Sequence, residues 1–161
     1  MSTFAVARRT ALGAVVIALV VALVWVVRTD HRDASRDRAA AQAKATAATS
    51  IASLLTYTPT TVSTDLAKES RLLTGSFAKD YRRLVTEVVA PAAKKGQVST
   101  KADVTGVGVT SAQPDAVTLL VFVNVTTTSK DATDPRLSGS RLRVTLDRVG
   151  ATWRISALDP V

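Results

Sequence analysis

Proton-moving chemistry near neutral pH needs a side chain that titrates there, and this chain offers few. Its single histidine, His31, sits in the arginine–aspartate run "RTDHRDASRDR", where a solvated imidazole is expected rather than a base. There is no cysteine, which excludes thiolate nucleophiles, disulfides and sulfur-ligated metals, and one histidine excludes a multi-histidine metal site within one chain. The remaining acid–base candidates are Tyr57, Asp80, Tyr81 and Asp103. Asp80 stands three residues before Arg83, the spacing of a helical ion pair. Asp103 alternates with Ala102 and Val104 and so points outward from a strand. Tyr81 shares a helical face with Phe77 and Leu84, which makes it a core ring. No convergent pair emerges, so no catalytic residue, cofactor or metal ligand is expected, and the protein reads as a non-enzyme.

The stretch "RLLTGSFAKDY", residues 71–81, invites a second reading as a phosphate cradle. A phosphate loop needs Gly-Lys-Ser/Thr after a strand, and neither is present. Gly75 instead falls just past Leu73, the last periodic apolar residue, where a helix ends left-handed. Ser76 then caps the next helix. The segment is predicted to be a helix-to-helix joint.

The elements around these residues follow from composition and period. A chain of 161 residues holds one folded domain plus an appendage. Hydrophobic residues make up 47% but aromatics only 4%, so the core must be aliphatic. Residues 11–27, "ALGAVVIALVVALVWVV", form an uninterrupted apolar run of about 26 Å as a helix, near the short end of what spans a bilayer. Ala11, Leu12, Val16, Leu19, Val20, Leu23, Trp25 and Val27 are its lipid-facing and interfacial candidates. The run exits into Arg28-Thr29-Asp30 without a small-x-small cleavage site, which favours a retained anchor over a signal peptide. Ala14, Ala18 and Ala22 make a small-xxx-small stripe, as expected by composition alone in an alanine-rich chain. Arginines flank both ends and Asp30, Asp33 and Asp37 interleave with them, so charge leaves the orientation open. The division is a short tail at 1–10, the anchor at 11–27, a helical stalk at 28–45 and a folded domain at 46–161.

Ser35 to Tyr57 lacks glycine and proline and should be helical, solvated in its first half and docking onto a core from Ile51, Leu54 and Leu55. A second helix is capped by Ser63 or Thr64, with Asp65 in its first turn. In the third, Phe77, Tyr81, Leu84 and Val88 form one apolar face, until Pro91 kinks or ends it before Gly96. Strands follow at 98–111, with a bulge at Thr105-Gly106, at 117–128, at 141–149 and at 152–158, with a polar loop at 130–138. Val117, Leu119, Val121, Val123 and Val125 line one face of the second strand, while Leu120 and Phe122 lie on the other. Trp153 and Ile155 point the same way. The predicted class is α+β, three helices on one face of a curved four-stranded antiparallel sheet.

Net charge is +8, which draws the protein to anionic surfaces. Lys79, Arg82 and Arg83, with Arg71 near, make a basic patch, read as a solvated face or as a contact for anionic headgroups or an acidic partner. No strand interleaves aromatic and basic residues, so nucleic acid is not an expected partner.

The order of elements resembles the cone-shaped NTF2-like fold. With the short anchor, "SIASLLTY", "LLTGSFAKDY" and the ending "RVTLDRVGATWRISALDPV", the chain resembles the Mce-associated membrane proteins of actinobacteria over nearly its full length. Leu73, Thr74, Gly75, Phe77, Tyr81, Trp153 and Pro160 carry that likeness. It is similar also to the VirB8-type anchored scaffolds of type IV secretion. The resemblance implies a single-pass, non-enzymatic accessory subunit of a lipid-import complex, its domain outside the cytoplasmic membrane. The implied partners are Mce subunits or related transport proteins, membrane lipids and a second copy of the chain. A domain that binds a lipid or apolar ligand directly is the alternative. Leu120 and Phe122, with Lys79, Arg82 and Arg83, are the candidate partner surface.

Overall fold

Residues 33–161 are described by the computed structural model, so the expected anchor at 11–27, its alanine stripe and His31 lie outside the described residues. Among the described residues, no helix is long and apolar enough to cross a membrane.

The first helix, α1, covers residues 33–54. Ala39, Ala43, Ala47 and Ile51 recur every four residues and are all fully buried, so they form one stripe against the sheet. The expectation of a solvated alanine-rich half is therefore corrected. With only a methyl group at three successive turns, the helix can lie close to the sheet, and docking begins at least at Ala39. The helix also stops at 54 rather than 57, because the next residues join the sheet edge. Tyr57 and Thr100 exchange backbone hydrogen bonds of 3.0 and 2.9 Å, and Thr56 Oγ1 accepts from the Ala102 N–H.

Helix α2, Val62–Glu69, starts at Thr61 rather than at Ser63 or Thr64, and without a side-chain cap. The Thr58 carbonyl accepts from the Val62 N–H at 2.9 Å, and the Thr58 and Thr61 hydroxyls pair at 2.8 Å. Asp65 lies in the first turn as expected. After a tight turn at Ser70–Leu72 the chain extends. Leu73, expected on the helix, is instead buried beside the last strand, where the Thr74 N–H donates to the Ile155 carbonyl at 2.9 Å. Gly75 has φ +65°, the left-handed conformation expected of it, but it opens the next helix rather than closing the previous one. Ser76 thus lies inside that helix and is not its cap.

Helix α3, Gly75–Leu84, passes through a wide turn at Val85–Val89 into α4, Ala90–Gly96. The predicted apolar face is corrected at its C-terminal half, first at Leu84, the last residue of α3, and then in the wide turn. Phe77 and Tyr81 pack on the core, but Leu84 and Val88 are 49% and 55% exposed. A five-residue turn rotates the helix register, so Val85, Ala90 and Ala93 turn inward instead. It also precedes Pro91, which has no N–H to give to the turn before it. Pro91 therefore sits in the first turn of α4 and does not end the helix. That end is made by Gln97, left-handed at φ +50°, with its side chain bonded to the Lys94 carbonyl.

Strands β1 (Ser99–Ala112), β2 (Ala116–Thr128), β3 (Arg136–Val149) and β4 (Thr152–Pro160) form an antiparallel meander in sequence order. The bulge between Val104 and Gly106 is where it was expected. A second shift lies between Val109 and Ser111, and Val109, opposite Leu119, is exposed. Residues 136–138, expected in a loop, belong to β3 with 139 and 140 and pair with β2 as far as Thr127. The helices cover one sheet face, whose Val117, Leu119, Val121, Val123, Val144, Leu146 and Ile155 are essentially inaccessible.

Two substitutions test this packing. Ala43→Leu should cost about 1–3 kcal/mol by overpacking, while Ala41→Leu on the exposed side of α1 should be near neutral. Equal urea midpoints for both would show that the stripe is not in contact. A Cβ at Gly75 would meet nothing within 4 Å, so Gly75→Val should cost about 1–2 kcal/mol through backbone strain alone, and Gly75→Asn less. Thermal unfolding that ranks valine equal to glycine would exclude a left-handed residue there.

Candidate functional site

Tyr81 is a core ring with its hydroxyl committed. It packs at the seam of the two hydrophobic clusters, at 6.2 Å and a tilted angle from Phe77, and its Oη donates to the Leu54 carbonyl at 3.1 Å. Burial, followed by the charge of Glu69 and by Tyr57, pushes the phenol well above its ordinary range. A hydroxyl so held donates a hydrogen bond and does not exchange a proton near neutral pH. Asp80 and Arg83 form the expected ion pair at 2.9 Å, with both side chains exposed, a contact worth at most about 1 kcal/mol. Asp103 is exposed on β1, and Tyr57 is held through its backbone to Thr100. Tyr57 and Tyr81 thus share one cluster, and the two exposed carboxylates do not join them there.

The candidate partner residues fall on two sides of the molecule. Leu120 and Phe122 emerge from the sheet face that the helices leave open, whereas Lys79, Arg82 and Arg83 are exposed on α3 in the helical layer. Phe122 is 40% exposed and Leu120 is half-buried, so the apolar patch is narrower than the sequence implied. Its shape comes from cross-strand neighbours. Phe122 faces Gly106 on β1 and Arg141 on β3, and Leu120 faces Gly108 and Arg143. A Cβ at Gly106 would stand 3.5 Å from the Phe122 ring, which therefore rests on the glycine backbone. Beside it, Phe122, Asn124, Gly139, Arg141 and Pro160 line an open groove of about 410 Å³. The patch is thus amphipathic, an aromatic between two glycines and two arginines.

Trp153 anchors a polar cluster that sequence patterning missed. Its ring is buried, and Nε1 donates to Gln42 Oε1 of α1 at 3.2 Å. The Arg148 guanidinium lies 4.6 Å above the ring, with Nη2 donating to the same Gln42 oxygen at 3.3 Å and Nε to the Pro114 carbonyl at 3.1 Å. Asp115 approaches Arg148 only at 3.8 Å and is itself largely exposed. Gln42 looked like one more solvated residue of an alanine-rich helix, and 106 positions separate it from Arg148. Only the register Arg148↔Trp153 across the β3–β4 hairpin could have hinted at the pair.

Two findings from comparison with other proteins fit this architecture. No family model matches the chain. The fold is the VirB8-type, NTF2-like one. An IcmL-like type IV secretion system protein from Legionella pneumophila superposes with TM-score 0.63 at 11% identity, covering 75% of this chain and 91% of that one. CagV, a VirB8 homolog from Helicobacter pylori, superposes with TM-score 0.60 at 10% identity, covering 75% and 97%. In sequence the chain is 40% identical over 131 residues to Outer membrane protein Rv1973 of Mycobacterium tuberculosis, covering 81% of this chain and 79% of that protein. The chain belongs to the family of that mycobacterial protein. It is also 37% identical over 139 residues to Uncharacterized protein Rv1362c of the same organism, of whose length it spans 63%.

The Tyr81 geometry makes a pH-dependent prediction. An unfolded tyrosine ionises near pH 10, whereas folded Tyr81 keeps its proton to higher pH. Its stabilising contribution is therefore complete below about pH 10 and is lost as pH rises above that value, where only the unfolded state releases the proton. Tyr81→Phe should cost about 0.5–1.5 kcal/mol at pH 7, and the deficit should shrink above pH 10 because phenylalanine has no proton to lose. A deficit that stays constant through that range in urea titrations would place the hydroxyl in water.

Proposed function

We propose that the protein is a non-enzymatic scaffold of the cell envelope that binds and stabilises a membrane transport assembly. The observation that carries this reading is the filled interior. In a cone of this kind, enclosed chemistry or an enclosed ligand would sit between sheet and helices. Here Ile51, Leu119, Val121, Leu146 and Ile155 occupy that space with no accessible surface, and the Tyr81 hydroxyl is turned onto the Leu54 carbonyl. This also argues against the cone as a container for a lipid or other apolar ligand. Binding then falls to the surface, to the Phe122 face on one side and the α3 arginines on the other.

The finer assignment is an accessory subunit of an Mce-type lipid-import complex, anchored once through residues 11–27, with the folded domain outside the cytoplasmic membrane. It rests on the sequence resemblance and on the apolar run. The name of the related Mycobacterium tuberculosis protein, an outer membrane protein, agrees with an envelope location. A scaffold in a secretion-type assembly is the second reading, favoured by the shared fold with type IV secretion proteins.

The test is co-purification of the assembly from native membranes. Leu120→Asp and Phe122→Asp should each reduce recovered partners several-fold while leaving the folded domain intact, since both residues lie on the uncovered sheet face. Tyr81→Phe should retain normal recovery and normal lipid uptake. If the aspartate variants assemble normally and Tyr81→Phe abolishes uptake, the scaffold reading fails and a site inside the cone takes its place.

A further inference from the structure

The cluster around Trp153 forms the floor of an open groove of about 720 Å³ between α1, the Ser70–Leu72 turn and the β3–β4 hairpin. Gln42, Arg71, Arg148, Thr152, Trp153 and Arg154 contribute to its lining, which contains three arginines and no carboxylate. Arg154 stands across the ladder from Asp147, which offsets part of its charge. Arg71 makes no ion pair among the described residues and is exposed. Arg148 is the informative member. It is held flat on an indole and bonded to two neutral oxygens, while the one carboxylate near it, the exposed Asp115, stays 3.8 Å from Nε, so its orientation is set by neutral groups and its charge is only partly offset. Its Nη1 donors have no partner among the described residues.

A solvated arginine needs no such fixing, and immobilising its long side chain has an entropic cost. A guanidinium oriented before a ligand arrives, in a recess where other positive charges add to the field, is the arrangement that binds oxyanions. We infer that this groove is a binding site for a phosphate group, with Arg148 as its fixed donor and Arg71 as the second arm that closes on the anion. The same chemistry is borne by free phosphate and by the phosphodiester of a lipid headgroup. The site is separate from the Phe122 face and does not depend on the scaffold reading.

Trp153 supplies the reporter. The chain has two tryptophans, so Trp25→Phe leaves Trp153 as the sole emitter, directly beneath Arg148. The full chain in phosphate-free maltoside micelles is titrated with inorganic phosphate, with glycerophosphoglycerol (a deacylated headgroup) and with glycerol, following Trp153 emission and calorimetric heat. A saturable response to phosphate or to the diester, and none to glycerol, is expected. Response to the diester identifies a headgroup site, and response to phosphate alone a free-anion site. Arg71→Ala should weaken binding about tenfold, the equivalent of one charge-assisted hydrogen bond. Arg141→Ala, which removes the same charge on the other sheet face, should leave it unchanged. Absence of saturable heat and emission change with both anions overturns the proposal, as does an equal loss in Arg71→Ala and Arg141→Ala.

Discussion

Everything in this domain depends on how closely one helix can approach one sheet face. Ala39, Ala43 and Ala47 offer the sheet only methyl groups, so α1 settles against Val117, Leu119, Val121 and Val123 without a layer of bulky side chains between. That approach has three consequences. It brings Gln42, one residue before Ala43, within reach of Trp153 and Arg148. It carries Leu54 to where its carbonyl can accept the Tyr81 hydroxyl. It also leaves the chain at 55–57 beside β1, where Tyr57 and Thr100 pair. A larger residue in the stripe would act on all three at once.

A core built this way has little room for chemistry. Aliphatic side chains at full burial supply no donors, and the buried ring at Tyr81 spends its hydroxyl on a backbone carbonyl. Polar side chains that do order the fold, such as Gln42 and Arg148, work at the boundary between core and surface. There they satisfy the indole N–H and leave charge facing solvent. Function in such a molecule has to be sought in surfaces and grooves.

The sheet was the most legible part of the sequence. Alternation in β2 identified both faces, and the shift at Thr105-Gly106 announced the bulge, because a half-buried strand writes its burial at a period of two. Helical readings failed where tertiary contacts override local signals. Leu73 carries a helical spacing but is drawn to β4, so Gly75 serves the start of α3 instead of the end of α2. Val88 fits a period of 3.6, and a single wide turn defeats that period, while Leu84 is left exposed at the end of α3 before the turn begins. The alanines of α1 looked neutral to any hydrophobic pattern, although their smallness is what the packing uses. Of the candidate site, Phe122 and the exposed arginines could be named in advance. The Gln42–Trp153–Arg148 cluster could not, since its members are polar and distant in sequence.

The two sheet faces also divide the labour of the fold. On the covered face, Val117 to Val123 fill space, and substitutions there change stability. On the open face, Gly106 leaves a shallow gap that Phe122 partly covers, and Arg141 and Arg143 stand across the ladder from Phe122 and Leu120. An aromatic that packs on glycine backbone keeps its outer surface available at small conformational cost, because it is already held on one side. The ring at 122 covers the Gly106 backbone and so contributes to the sheet itself, while a polar residue there would leave the covered face untouched. The ring thus shields a glycine of the sheet with one side and leaves the other exposed, apolar surface of the kind that association can cover.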